Sequence, residues 1–118
     1  MSIAVKRAYD PPAAGDGYRV LVDRLWPRGL SREQLQIDEW FREAAPSDEL
    51  RRAFHDGELG WGEFRRAYLA ELKTQRDALR RLASVAGQGR LTLVFGARDE
   101  KRNNAVVLMQ YLKLLGAG

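Results

Sequence analysis

Two kinds of hydrophobic pattern alternate along this chain. Short, nearly unbroken apolar runs occur at Ile3-Ala4-Val5, at Val20-Leu21-Val22 within Tyr18–Trp26, and at Leu91-Thr92-Leu93-Val94-Phe95. Runs of that length, bounded by glycine and proline, suit strands buried on both faces of a parallel sheet. Asp10-Pro11-Pro12 with Gly15-Asp16-Gly17 ends the first, Pro27 and Gly29 the second, and Gly96-Ala97 the third.

Between these runs the spacing becomes helical. Ser31-Arg32-Glu33-Gln34 has the form of a capping box, with Leu30 and Leu35 at the two positions of a hydrophobic staple. Ser47 is a second N-cap, followed by Asp48 and Glu49 in the positive first turn of a helix that carries Leu50, Ala53 and Phe54 and ends by Gly57. The longest helical stretch runs from about Gly62 to Val85, with Thr74 as a point where it could break. Trp61, Phe64, Tyr68, Leu72, Leu79 and Leu82 cluster within about 80° of arc at the helical repeat, a core-facing stripe. Val107, Leu108, Tyr111, Leu112 and Leu115 form the inner face of a last helix, with Gly116 past its end.

Strands alternating with helices predict an α/β fold: a small, mainly parallel sheet of about three strands with helices packed on it, in Rossmann-like layering. The Asp10–Gly17 connection is short for a parallel crossover, which leaves an antiparallel first strand open. At 118 residues, with no linker or repeat, the chain reads as one domain over residues 1–118.

Composition narrows the chemistry. The chain has no cysteine, which removes disulfides, thiolate metal sites and cysteine nucleophiles together. Met1–Tyr9 lacks the form of a signal peptide, and no apolar run reaches the length that spans a membrane, so the cytosol is the expected compartment. No Walker loop or Gly-x-Gly-x-x-Gly fingerprint is present, and no cofactor or metal is implied. Asp23 and Asp99 could hold Mg²⁺, but two aspartates without a fixed spacing make a weak signal. His55 is the only histidine, which excludes a multi-histidine zinc site. Its first reading is structural, a cationic side chain near the negative end of its helix, with general acid–base work as the alternative.

In open α/β sheets ligands bind beyond the carboxyl ends of the strands. That rule selects Asp23-Arg24-Leu25-Trp26-Pro27-Arg28-Gly29 and Gly96-Ala97-Arg98-Asp99, the latter leading into a helix with Asn103 and Asn104 in its opening turns. Guanidinium forks and free backbone N–H groups are what a phosphate or carboxylate requires. The expected site is an anion or small-molecule pocket built by Arg24 and Arg28, with Tyr9, Asp23, Arg98, Asp99 and Asn103 as further candidates. The structural alternative pairs Arg24 with Asp23 or Asp99, caps the last helix with Asp99 and packs Trp26 in the core.

The net charge of +4 also raises nucleic acid as a partner. Arg65, Arg66, Lys73, Arg76 and Arg80 fall within roughly 100° of one helix flank. Glu63, Glu71 and Asp77 dilute that field, so a solvated face is the plainer reading. The second functional hypothesis is therefore a non-enzymatic module that binds nucleic acid or a protein partner through this flank.

The residues also carry a family likeness. Lys6-Arg7-Ala8-Tyr9-Asp10, Asp16-Gly17-Tyr18-Arg19, the run Val22 to Gly29, Ala45-Pro46-Ser47, Tyr68–Leu72 and Asn103 with Ala105–Leu108 resemble the YeaO-like family of bacterial proteins, domain of unknown function 488. The resemblance spans nearly the whole chain and implies an α/β fold, with no activity to carry over. Members often have a histidine after the asparagine of the last helix, where this chain has Asn104, and a proline after His-Asp, where it has Gly57. The first departure weakens any scheme that needs a second histidine there. The likeness places the family signature at the strand ends, which favours a shared site over a purely structural role.

Overall fold

The computed structural model describes residues 2–116. Four strands form one all-parallel sheet: β1 (Ser2–Arg7), β2 (Tyr18–Leu21), β3 (Glu39–Trp40) and β4 (Arg90–Phe95), in the order β1-β4-β2-β3. Five α-helices accompany it: α1 (Arg32–Leu35), α2 (Asp48–His55), α3 (Trp61–Lys73), α4 (Arg76–Gln88) and α5 (Asn104–Leu114). The protein is an α/β fold, with one strand more than the apolar runs predict. Glu39–Trp40 is too short, and too polar at Glu39, to register as an apolar run.

β4 is the centre of the sheet. It pairs with β1 from Ser2↔Arg90 to Arg7↔Phe95 and with β2 from Tyr18↔Leu91 to Leu21↔Val94. Both its faces are buried from Leu91 onward, as a continuous apolar run requires. Alternation then divides the core. Val5, Val20, Val22, Leu91, Leu93 and Phe95 face α2–α5, meeting Phe64, Tyr68 and Leu72 of α3, Leu79 and Leu82 of α4, and Val107, Leu108 and Leu112 of α5. Ala8, Leu21 and Val94 face the other way, onto Leu35 of α1 with Trp26, Ile37 and Trp40 around it. Each fully buried leucine contributes about 1.5–3 kcal/mol, so the thick helical face carries most of the stability.

One expected boundary moves, and three points left open by the sequence are decided. The first strand is parallel, because β1 does not neighbour β2: β4 stands between them, and residues 8–17 cross beneath it instead of turning back. The second strand ends at Leu21 and not at Trp26, since Trp26 folds onto α1, its Nε1 donating to the Leu30 carbonyl (2.6 Å) and its ring meeting Trp40 edge-on at 5.3 Å. The stretch from Gly62 to Val85 is two helices, broken at Thr74, whose hydroxyl donates to the Glu71 carbonyl at 2.7 Å and closes α3. The last helix begins at Asn104 with Asn103 as its N-cap, Asn103 Oδ1 accepting from the Val106 N–H at 3.0 Å, and is not capped by Asp99.

The local caps form as the residues dictate. Ser31 and Gln34 bond reciprocally (2.8 and 3.1 Å), although α1 lasts a single turn. Ser47 Oγ accepts from the Leu50 N–H and donates to Glu71 of α3 at 2.6 Å, so the start of α2 is tied to the helix it packs against.

The crossover beneath β4 is held by charge. Asp16 accepts from Lys6 Nζ of β1 (3.1 Å), from Arg19 Nη1 of β2 (2.6 Å) and from the Ala13 N–H (3.0 Å). Arg19 is 4% exposed, and its remaining N–H groups reach the Leu35 and Gln36 carbonyls at 2.7 and 3.0 Å. Thr92 of β4 donates to the Asp16 carbonyl. Gly17 follows at φ 67°, where a Cβ would stand 2.3 Å from the Arg90 carbonyl oxygen, so only glycine passes here. Burial pushes the Asp16 carboxyl up, but the Ala13, Lys6 and Arg19 bonds outweigh it and hold it below the ordinary 3.8.

Removing one member of this cluster strands the other charges. Arg19→Ala is expected to cost about 3 kcal/mol, read by urea denaturation, with a melting point lower by roughly 10 °C. A loss within experimental scatter would show that the cluster does not hold the crossover.

Candidate functional site

A cleft of about 800 Å³ opens beyond the carboxyl ends of β2 and β4, between the loops that leave them, the face of α2 and the start of α5. Asp23 forms its floor. The Asp23 Oδ2 accepts from the Gly96 N–H at 2.8 Å and Oδ1 from Asn104 Nδ2 at 3.0 Å, while Asn104 Nδ2 also reaches the Val22 carbonyl. Trp40 Nε1 donates to the Asp23 carbonyl at 2.7 Å and fixes the backbone from the opposite side of the sheet. Gly96 permits this approach, since a Cβ there would lie 3.1 Å from the Asp23 Oδ2. One carboxylate thus joins the end of β2, the end of β4 and the first residue of α5.

Burial pushes the Asp23 carboxyl above the ordinary value of 3.8, against the pull of Asn104, Gly96 and the Arg51 charge. A half-buried carboxylate raised in a cleft is the kind of group that marks functional sites.

The cations come from α2 and from the loops. Arg24 does not pair with Asp23 or Asp99. Its Nε donates to the Pro46 carbonyl (3.3 Å) and lies 3.8 Å from Asp48 Oδ1. Arg51 Nη2 meets that same Asp48 oxygen at 3.4 Å, so two guanidinium groups converge on one half-exposed carboxylate. Arg51 Nε is enclosed and has no hydrogen-bond partner among the described residues. Arg51, Phe54 and His55 share one face of α2, at the i, i+3 and i+4 spacing that stacks side chains along a helix. Arg98 and Arg102 line the cleft from the loop before α5.

That loop is shaped by its own bonds. Asp99 Oδ1 accepts from the Lys101 and Arg102 N–H groups at 2.9 and 3.0 Å, which hold its carboxyl below 3.8. Asn103 Nδ2 donates to the Asp99 carbonyl, and Arg7 Nε of β1 to the Ala97 carbonyl. Asn103 is 2% exposed, so its amide serves the helix cap first.

Of the residues singled out by sequence, Asp23, Arg24, Arg98, Asp99 and Asn103 line this cleft. Arg28 and Tyr9 lie outside it: the exposed Tyr9 hydroxyl donates to the Arg28 carbonyl, under the Arg7 guanidinium. Arg51, His55, Arg102 and Asn104 join the lining without having been singled out as ligand groups. The signal for the first two was available in the face that α2 presents with Phe54. His55 is the last residue of α2, exposed beside Asp56 at 3.4 Å. Among the described residues no three of His, Cys, Asp or Glu gather where they could hold a metal, and no helix is long and apolar enough to cross a membrane.

The basic flank is divided. Arg65 and Arg66 lie on α3 with Lys73, and Arg76 and Arg80 on α4, so the break at Thr74 separates what one continuous helix would have aligned. Arg65 Nε is further bonded to Gln110 of α5 at 3.0 Å.

This arrangement, a four-stranded parallel sheet with an arginine-lined cleft at its carboxyl edge, sits within a known family. Residues 2–115 match the family model described as the inactive DUF488-N3 subclade, and the chain belongs to that family. It is 47% identical over 115 residues to the uncharacterized protein YeaO of Escherichia coli (strain K12), covering 98% of this chain and 100% of that one. It is 36% identical over 110 residues to the uncharacterized protein Rv3073c of Mycobacterium tuberculosis (strain ATCC 25618 / H37Rv), covering 93% and 92%. The uncharacterized protein Mb3100c of Mycobacterium bovis (strain ATCC BAA-935 / AF2122/97) matches to the same extent. No solved structure matches.

The raised Asp23 carboxyl has a consequence for stability. A folded-state value above the unfolded one means that the folded chain binds more protons, so stability contributed by this group grows as pH falls from neutral through the raised value toward the ordinary 3.8. Asp16, held low, works in the opposite direction, its contribution being lost as pH falls below about 4. Comparing wild type with Asp23→Asn isolates the first effect: the wild type is expected to gain stability relative to the variant as pH falls from 7 to 3.8. A constant difference across that whole range in thermal melts would show that Asp23 is not raised.

Proposed function

We propose that this protein binds a phosphate-like anion in the cleft at the carboxyl ends of β2 and β4, and that it binds its ligand without transforming it. The observation that carries the reading is the convergence of the partly exposed Arg24 and Arg51 guanidinium groups on the single Asp48 oxygen. Two guanidinium groups that share one carboxylate oxygen keep further donors for an anion oxygen. Asp48 is about half exposed, which makes it a weak counter-ion that a ligand could displace. Arg98 and Arg102 add positive charge at the mouth.

Binding in preference to turnover has separate support. The carboxylates in the lining are engaged by the protein, Asp23 by Gly96 and Asn104 and Asp99 by two backbone N–H groups. Asn104 offers an amide that carries no exchangeable acid–base function. The family model is described as an inactive subclade.

A thermal-shift screen at low salt tests this with inorganic phosphate, sugar phosphates, nucleotides, divalent metals and short oligonucleotides. A ligand present at 100 times its dissociation constant stabilises by about 2.7 kcal/mol. The expected result is a shift with at least one small phosphate compound that disappears in Arg51→Gln and Arg24→Gln and survives in Arg28→Gln, which lies outside the cleft. Asp48→Asn removes the competing carboxylate and is expected to tighten binding several-fold. No shift with any small anion would overturn the reading. A response to oligonucleotides alone that is lost in Arg76→Glu or Arg80→Glu would move the function to the divided helix flank.

A further inference from the structure

The cleft is much larger and much less polar than an inorganic anion needs. Its volume of about 800 Å³ lies in the range of sites that enclose drug-sized ligands, roughly 300–1,000 Å³. Beside the arginines it is lined by Leu25, Pro46, Phe54, Phe64 and Ala97. Leu25 stands 60% exposed, one of the few large apolar side chains left in solvent among the described residues. It directly follows Arg24, so the same short loop presents a guanidinium and an uncovered apolar side chain to one space. α2 repeats the combination, with Arg51 and Phe54 three residues apart on the face that lines the cleft. Phe54 is only partly buried and is stacked on Phe64 at 4.3 Å with an interplanar angle of 20°, a flat aromatic element backed by the core.

We propose that the anion is the charged group of a larger organic molecule carrying a flat ring, the chemistry of a nucleoside monophosphate, with its ring received by Phe54, Leu25 and Pro46 and its charge by Arg51 and Arg24. This rests on the anion reading above and specifies its ligand class. Flat rings stack on aromatic side chains and on guanidinium planes, and such contacts tolerate many ring types because every base offers a π-face. Covering Leu25 and Phe54 removes apolar area from water. The two elements that supply charge also supply the apolar surface, so a ligand spanning both meets the partly exposed guanidinium groups and buries the exposed leucine in one step.

Isothermal titration separates the two levels of the reading. Inorganic phosphate and ribose 5-phosphate present the anion alone, adenosine the ring alone, and phenyl phosphate, AMP and UMP both together. The expected result is that at least one compound with ring and phosphate binds ten-fold or more tightly than ribose 5-phosphate and than adenosine. Leu25→Ser and Phe54→Leu are expected to lower that affinity five-fold or more and to narrow the gap to ribose 5-phosphate. Leu25 is exposed, so its variant folds irrespective of any packing lost at Phe54. Equal affinities for ribose 5-phosphate and every ring-bearing phosphate would overturn this inference and leave the anion reading standing. Binding of adenosine as tight as that of AMP would overturn the pairing of ring with charge. Failure of every phosphate compound to bind would remove the anion reading and this inference together.

Discussion

β4 is formed by residues near the end of the chain, yet it lies between the first two strands and pairs with both. That insertion sets the remaining geometry. It forces β1 and β2 apart, so the link between them must pass across one face of the sheet within residues 8–17. A link that short carries only a single 3-10 turn, Ala14–Asp16, and no α-helix. It is fastened by charge and backbone bonds instead, through Asp16, Lys6, Arg19 and Thr92, and by a glycine at the one point where any side chain would meet the Arg90 carbonyl. One face of the sheet is therefore thin, covered by α1 and two tryptophans, while α2–α5 crowd the other.

The same insertion makes the cleft. With β4 beside β2, the loops leaving these two neighbouring strands begin side by side, and Asp23 spans them by accepting from Gly96 and Asn104. The carboxylate is drawn in by these bonds and raised by the burial that they impose, so the floor of the cleft is a structural joint as well as a polar group. Trp40 holds the Asp23 backbone from the other face. The Asp-Arg-Leu-Trp-Pro-Arg-Gly run accordingly serves two sides of the sheet: Asp23, Arg24 and Leu25 face the cleft, whereas Trp26 turns back onto α1. Its second arginine, Arg28, is carried away by that turn.

Local structure follows from the sequence where the controlling atoms are a few residues apart. Ser31 with Gln34, and Ser47 with Leu50, cap helices in the manner their spacing requires. The Leu91–Phe95 run is the buried strand that its unbroken apolar character demands. The long stripe from Trp61 to Leu82 is core-facing throughout, but periodicity cannot distinguish one helix from two in nearly the same phase. The break falls at Thr74, whose N–H and hydroxyl both donate to the Glu71 carbonyl. β3 has no signature in the sequence for a related reason: two residues carry no period, and this strand is held by its pairing with β2 and by the Arg81–Glu39 ion pair.

The sequence by itself determined the α/β class, the apolar strands, the helix starts and the concentration of arginines near strand ends, because each of these depends on neighbours along the chain. Tertiary structure decided which strand lies in the middle, the direction of β1, and which polar residues meet. Arg51 and Asp23 are far apart in sequence and share one cleft, while Arg28 is close to Asp23 in sequence and stands outside it. A strand order is a choice among pairings whose local patterns are nearly equivalent. It is settled by the joint burial of all the runs and by bonds such as Asp23 to Gly96 and Asp16 to Arg19, which exist only once the chain has closed on itself.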